Sequence, residues 1–207
     1  AGVETKMYLM ATFEDSSITG LTWTMIEKPA SSTTAVLSGA TTVDDMSEIV
    51  TFVPDAIGTY KVAVSEGMYA DTVVVNAAKF VGVDNCKMCH NGGVTQHYEP
   101  FMATGHATFL DEALDGVKSS HYGEGCISCH TVGYDIDADN DGFDDFEFLF
   151  PGTLEPGIAD SMYTKYPDAM KYANIQCENC HGPGSAHNGA TSDSKMLSSL
   201  AVDACAA

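Results

Sequence analysis

The chain has 207 residues, enough for one large domain or two modest ones, and at 44% hydrophobic content it can build a packed core. Nine lysines, no arginine and 29 acidic residues give a formal charge of −20, which argues against nucleic-acid phosphates and against an anionic membrane surface. No apolar run reaches the ~18–20 residues of a membrane-spanning helix.

Residues 1–79 hold no Cys and no His but 26 Val, Ile and Thr, against 17 in the other 128 residues. β-Branched residues suit strands, so a domain boundary is expected at residues 78–81, giving domains 1–79 and 80–207. Strands are expected at 6–13, 21–26, 35–37, 48–52, 59–64 and 72–75. Leu21, Trp23 and Met25 alternate with polar Thr22 and Thr24. Turn signals separate the strands: Lys28-Pro29, Ser38-Gly39, Pro54-Asp55, Ile57-Gly58 and Glu66-Gly67. The segments Thr22-Trp23-Thr24, Lys28-Pro29-Ala30 and Phe52-Val53-Pro54-Asp55-Ala56-Ile57-Gly58-Thr59-Tyr60 resemble bacterial immunoglobulin-like or PKD-like domains. The resemblance implies an all-β immunoglobulin-like sandwich with Trp23 in its core and Tyr60 as a tyrosine corner. It says nothing of function.

All seven Cys and seven His lie in residues 80–207. Three segments share one spacing: Cys86-Lys87-Met88-Cys89-His90, Cys126-Ile127-Ser128-Cys129-His130 and Cys177-Glu178-Asn179-Cys180-His181. Each is C-x-x-C-H, the attachment motif of a c-type haem; in a shuffled chain about 0.008 such motifs are expected. Cysteines at i and i+3 share one face of a helical turn, so two thiols can add to the two vinyl groups of one porphyrin. The following imidazole then lies beneath the iron. Zinc sites or a disulfide framework are weaker readings, because neither requires a histidine after each second cysteine.

Three covalently attached haems in 128 residues leave little chain for a side-chain core, so the C-terminal domain is expected to be haem-packed, with short helices and loops. Helix is expected at 98–114, at 160–171 and at the motif turns. Covalent haem attachment places the protein in the periplasm, at the cell surface or outside the cell. The chain starts at Ala1 without a leader, which reads as a mature product.

His97, His106, His121 and His187 remain for three distal positions. His106 follows Thr104-Gly105, His121 lies five residues before Cys126, and His187 lies six after His181. That last loop is too short to return to its own haem and offers His187 to another. His97 has no special context and ranks last. Bis-His ligation is favoured over His/Met, for which Met88, Met102, Met162, Met170 and Met196 are available.

This part also resembles bacterial multihaem cytochromes c. Phe80-Val81-Gly82, Thr104-Gly105-His106-Ala107, Gly125-Cys126-Ile127-Ser128-Cys129-His130-Thr131-Val132-Gly133 and Cys177-Glu178-Asn179-Cys180-His181-Gly182-Pro183-Gly184-Ser185 carry the likeness. In pattern it is similar to the tetrahaem electron-transfer cytochromes of ammonia oxidisers and the subunits of extracellular cytochrome filaments. The resemblance implies stacked haems, electron transfer, and distal ligands at His106 and His187. The chain departs from it in having three complete motifs rather than four, and Cys205 either begins a truncated fourth or is a free or cross-linking thiol.

Asp137, Asp139, Asp141 and Gly142 match positions 1, 3, 5 and 6 of a calcium loop, with Asp145 at position 9; position 12 is Phe148, not Glu. Ca2+ at Asp137, Asp139, Asp141 and Asp145 is favoured over a merely solvated acidic loop, because crowded aspartates repel unless a cation screens them. The expected function is non-enzymatic electron transfer with redox partner proteins or with copies of itself in a head-to-tail filament, the spare histidine reaching a neighbour's haem. A redox enzyme acting on a small nitrogen or sulfur species at an open haem is the rival.

Overall fold

The computed structural model describes residues 1–12, 20–93, 95–187 and 196; Cys205 lies outside them. The chain divides into two compact units, residues 1–78 and 79–207. Lys79 belongs with the second, because its N–H donates to Ser185 Oγ (2.8 Å) and its carbonyl accepts from the Ser185 N–H (3.1 Å).

The described residues of the first unit form six strands: β1 (Met7–Thr12), β2 (Thr22–Glu27), β3 (Thr41–Asp44), β4 (Ser47–Phe52), β5 (Gly58–Glu66) and β6 (Tyr69–Ala77). They form two antiparallel three-stranded sheets, ordered β1-β4-β3 and β2-β5-β6. Leu9 pairs with Val50 in one sheet and Tyr60 with Val75 in the other. Alternation turns Leu9, Val50 and Phe52 of the first sheet and Tyr60, Val62 and Val75 of the second into one buried cluster.

Two expectations change here. Trp23 is not central: it is half-buried at the margin, and its Nε1–H donates to Glu48 Oε1 at 2.7 Å. An indole keeps its N–H where a partner can be reached, so Tyr60 and Phe52 fill the centre, with ring centroids 5.5 Å apart. Residues 35–37 form no strand; β3 forms instead. The cause is Asp55. Its carboxylate accepts from Ser32 Oγ (2.5 Å), the Thr33 N–H (2.6 Å) and the Thr34 N–H (2.6 Å), which curls the chain just before residue 35.

Desolvation of Asp55 opposes these donors, but bonds from Ser32, Thr34 and Thr33 outweigh it and hold the carboxyl well below its ordinary range. Solvent still reaches this half-buried carboxyl and screens it, so Asp55→Ala is expected to lower stability by only about 1 kcal/mol. A depressed carboxyl stabilises the fold above its unfolded value, about pH 4, and the contribution disappears as pH falls further. Thermal melts of wild type and variant should therefore converge in strong acid.

The second unit carries α1 (Val83–His90), α2 (Tyr98–Met102), α3 (Phe109–Leu114), α4 (Ile158–Lys165), α5 (Pro167–Met170) and α6 (Cys177–His181). Short 3₁₀ segments lie at Gly105–Thr108, Glu124–Cys129 and Phe143–Asp145. The helix expected over 98–114 is interrupted at Thr104, which is extended and donates its hydroxyl to the Phe101 carbonyl (2.7 Å), competing with the helical ladder. α3 restarts under a remote cap: Asn174, at φ 71°, accepts from the Leu110 and Asp111 N–H groups at 2.7 and 3.2 Å. Pro167 divides the helix expected over 160–171 into α4 and α5.

This unit also packs a core of its own side chains, contrary to the expectation that haem alone would supply one. Leu110, Leu114, Tyr122, Val132, Phe143, Met162, Met170 and Tyr172 are buried together. Aromatic rings supply the area that a short chain otherwise lacks, as in Phe146 on Tyr172 (5.4 Å) and Phe143 on Phe148 (4.9 Å). The chain leaving the second motif passes through this core: Val132 donates to the Tyr172 carbonyl and receives from the Phe143 N–H, both at 2.9 Å.

Candidate functional site

Each C-x-x-C pair lies on helical backbone. Cys86 and Cys89 are in α1, Cys126 and Cys129 in the 3₁₀ segment Glu124–Cys129, and Cys177 and Cys180 in α6. All six thiols are unbridged and half-buried or exposed. Helical spacing puts the two sulfurs of each motif on one side, where a single group can reach both.

Two motif histidines are held alike. His90 Nδ1 lies 2.7 Å from Thr95 Oγ1, and His130 Nδ1 lies 3.0 Å from Tyr122 Oη. A hydroxyl on Nδ1 fixes the ring and leaves Nε2 for a metal, the arrangement typical of metal-bound imidazoles. Both rings hold their protons less tightly than an ordinary histidine. Burial lowers His130; burial, with the nearby charges of His97, His187 and His181, lowers His90. Neutral imidazole is the form that binds metal.

The spare histidines fall into three settings. His97 and His187 lie beside His90, with ring centroids 5.9 and 6.4 Å away. His187 Nδ1 is a buried atom with no hydrogen-bond partner. His106 and His130 line one cavity of about 450 Å³ with Thr104, Gly105, Phe109, Lys118 and Ile175. The Phe109 ring lies tilted against His130, with centroids 4.1 Å apart. His121 is exposed on the turn before the second motif, where its N–H donates to Ser119 Oγ. Of the methionines, Met162 and Met170 are buried in the side-chain core.

The residues between the cysteines of the third motif bind the three motifs together, which sequence reasoning missed. Glu178 is buried; it accepts from the Val81 N–H (3.1 Å), Gly82 N–H (2.7 Å) and Gly184 N–H (2.6 Å). Asn179 Nδ2 donates to the Thr131 carbonyl at 2.8 Å, just past the second motif. Gln176 Oε1 accepts from the Val83 N–H at 2.7 Å, at the start of α1. A polar pair inside C-x-x-C is the only trace of this in the sequence.

The clamp also brings the Cys86 and Cys177 thiols close enough to shift each other's titration. Cys86 lowers the Cys177 thiol to about 7, while Cys177 and burial raise Cys86.

In the acidic loop, Asp139 and Asp141 each lie 3.0 Å from the Lys79 ammonium. Asp145 accepts from the Asn140 and Gly142 N–H groups at 2.9 and 3.0 Å. Asp137 is exposed, and its N–H donates to Asp135. Among the described residues no group of three or more His, Cys, Asp or Glu converges as a ready metal site. None of the described helices is long and apolar enough to cross a membrane. Comparison with protein-family models, with curated proteins and with solved structures finds no match.

Proposed function

We propose that the chain is an extracytoplasmic multihaem c-type cytochrome that carries electrons and has no catalytic role. The observation that carries this reading is the threefold C-x-x-C-H, each copy helical across its cysteines. The donor set fits the group: six unbridged thiols, hydroxyl-anchored imidazoles at His90 and His130, and spare histidines near both. Cys86, Cys89 and His90 would hold one haem, Cys126, Cys129 and His130 a second, Cys177, Cys180 and His181 a third. Haem iron supplies a one-electron couple. The chain's part is to fix the imidazoles, keep them neutral and shield the site with Phe109 and Tyr122.

In this reading His106 would help to hold the haem of the second motif, and His97 and His187, both beside His90, would supply the two remaining donors. A side-chain core beside the haem sites makes the second unit only partly haem-packed. The first unit is read as an immunoglobulin-like sandwich, supported by Tyr60, whose hydroxyl lies 3.0 Å from both the Ala56 N–H and carbonyl. Partners are redox proteins or further copies in a filament.

Denatured protein should retain three haems, because thioether bonds survive unfolding; intact mass measures this. A mass equal to the bare polypeptide ends the reading. The rival, a redox enzyme on a small molecule, draws on the cavity between His106 and His130. A wholly low-spin spectrum favours the carrier, and a high-spin component the enzyme.

Calcium at Asp137, Asp139, Asp141 and Asp145 remains part of the proposal, with Lys79 as its competitor. The aspartates raise the affinity of Lys79 for its proton, Asp141 most and then Asp139. Removing a surface ion pair worth about 1 kcal/mol, as in Lys79→Met, should tighten calcium binding about fivefold. Titration calorimetry showing no heat with either protein assigns the loop to Lys79 alone.

A further inference from the structure

We infer that Cys86 and Cys177, which belong to different C-x-x-C-H motifs, form a disulfide with each other in the haem-free chain. The usual expectation for C-x-x-C is a bridge within the motif. The clamp around Cys177 favours another partner. Gln176 and Glu178, on either side of Cys177, bind the N–H groups of Val83, Val81 and Gly82, which lead into α1. Four hydrogen bonds of 2.7 to 3.1 Å thus hold the start of α6 against the start of α1. The clamp thereby sets Cys86, three residues past Val83, close to Cys177, and each thiol shifts the other's hold on its proton. Within α1, Cys86 and Cys89 are fixed on helical backbone, which must distort to bring its sulfurs into bonding distance.

The chemistry needs an oxidant of the disulfide class, such as oxidised glutathione. The more acidic thiol, Cys177, attacks it as the thiolate. One glutathione thiolate leaves, and a mixed disulfide remains on Cys177. Cys86 then loses its proton and attacks the Cys177 sulfur, expelling the second glutathione. Two protein thiols are oxidised to one disulfide, and one glutathione disulfide is reduced to two thiols.

The bond would take one thiol from the first motif and one from the third, leaving both thiols of the second. On the haem reading above, a chain oxidised before haem addition then carries one haem, at Cys126 and Cys129, rather than three. Reduction restores all three.

Trypsin decides the pairing, because it cuts after Lys87 and so separates Cys86 from Cys89. Full-length chain made without haem is incubated with oxidised glutathione, alkylated and digested unreduced. The expected product joins residues 80–87 to residues 172–195. It should persist in Cys180→Ser and vanish in Cys177→Ser. Residues 80–87 joined to 88–118, or found only alkylated or carrying glutathione, overturns the proposal. The peptide map stands whether or not the chain binds haem. If the haem reading alone fails, the cross-link forms but haem addition leaves the intact mass unchanged.

Discussion

Glu178→Ala is expected to cost the second unit about 3–5 kcal/mol, the largest stability loss of any single change considered, because it strands three backbone donors. Those donors belong to Val81, Gly82 and Gly184, and Glu178 itself is only 2% exposed. Alanine also opens space where Gly184 now packs close, since a Cβ on Gly184 would lie 3.2 Å from Glu178 Oε1. The melting transition of this unit should fall by roughly 10 °C or more. The variant should show a second change, in its response to pH. Burial pushes the Glu178 carboxyl above its ordinary value, against the pull of its backbone donors. A raised carboxyl favours the folded state below the unfolded value, about pH 4.3, and loses that contribution as pH rises through the folded value. Wild type should therefore gain stability on mild acidification, with half-buried Asp111 and Asp144 adding the same sign. Glu178→Ala should gain less. Equal melting temperatures for variant and wild type at neutral pH would remove Glu178 from its place as the tie between motifs.

What the sequence disclosed follows from the range of each signal. Strand period and turn residues are local, and five of the six expected strand positions coincide with β1, β2, β4, β5 and β6. The exception at 35–37 was decided by Asp55, some twenty residues away, whose carboxylate curls the chain at 32–34. The helix over 98–114 failed for a local reason and a remote one: Thr104 breaks it, and Asn174 restarts it. Motif spacing likewise places each C-x-x-C on helical backbone, because i and i+3 geometry is local.

The histidine environment was not legible, because it depends on contacts between segments far apart in sequence. His97 lacks any sequence context, yet it lies beside His90, and its N–H donates to the His90 carbonyl at 3.0 Å. His121 is near Cys126 in sequence but exposed. The polar pair Glu178-Asn179 gave no warning that it would hold the first and second motifs, since its partners lie 96 and 48 residues away. Nor does composition announce a side-chain core in so short a segment with three C-x-x-C-H motifs. The aromatic pairs that help to build it, Phe143 with Phe148 and Phe146 with Tyr172, join residues up to 26 positions apart.

Substituting the spare histidines one at a time should sort them sharply. His97→Ala, His106→Ala and His187→Ala are each expected to turn one of the haems high-spin, about a third of the total absorbance, while His121→Ala leaves the spectrum unchanged. On the haem reading three irons would need three distal donors, and three spare imidazoles lie next to motif histidines: His97 and His187 at His90, His106 across the cavity from His130. His187 brings a buried Nδ1 with no other partner, a cost of roughly 1–3 kcal/mol that an ordered donor or acceptor would relieve. His121 is exposed, so its removal should cost neither packing nor ligation. Adding imidazole should restore the low-spin spectrum of the three sensitive variants, because a free ligand can occupy a position vacated by a side chain but cannot repair misfolding. The opposite pattern, His121→Ala giving the high-spin signal and His97→Ala giving none, would return the third distal position to the turn before Cys126. It would also leave His97 as the histidine available to a haem of a neighbouring copy in a filament.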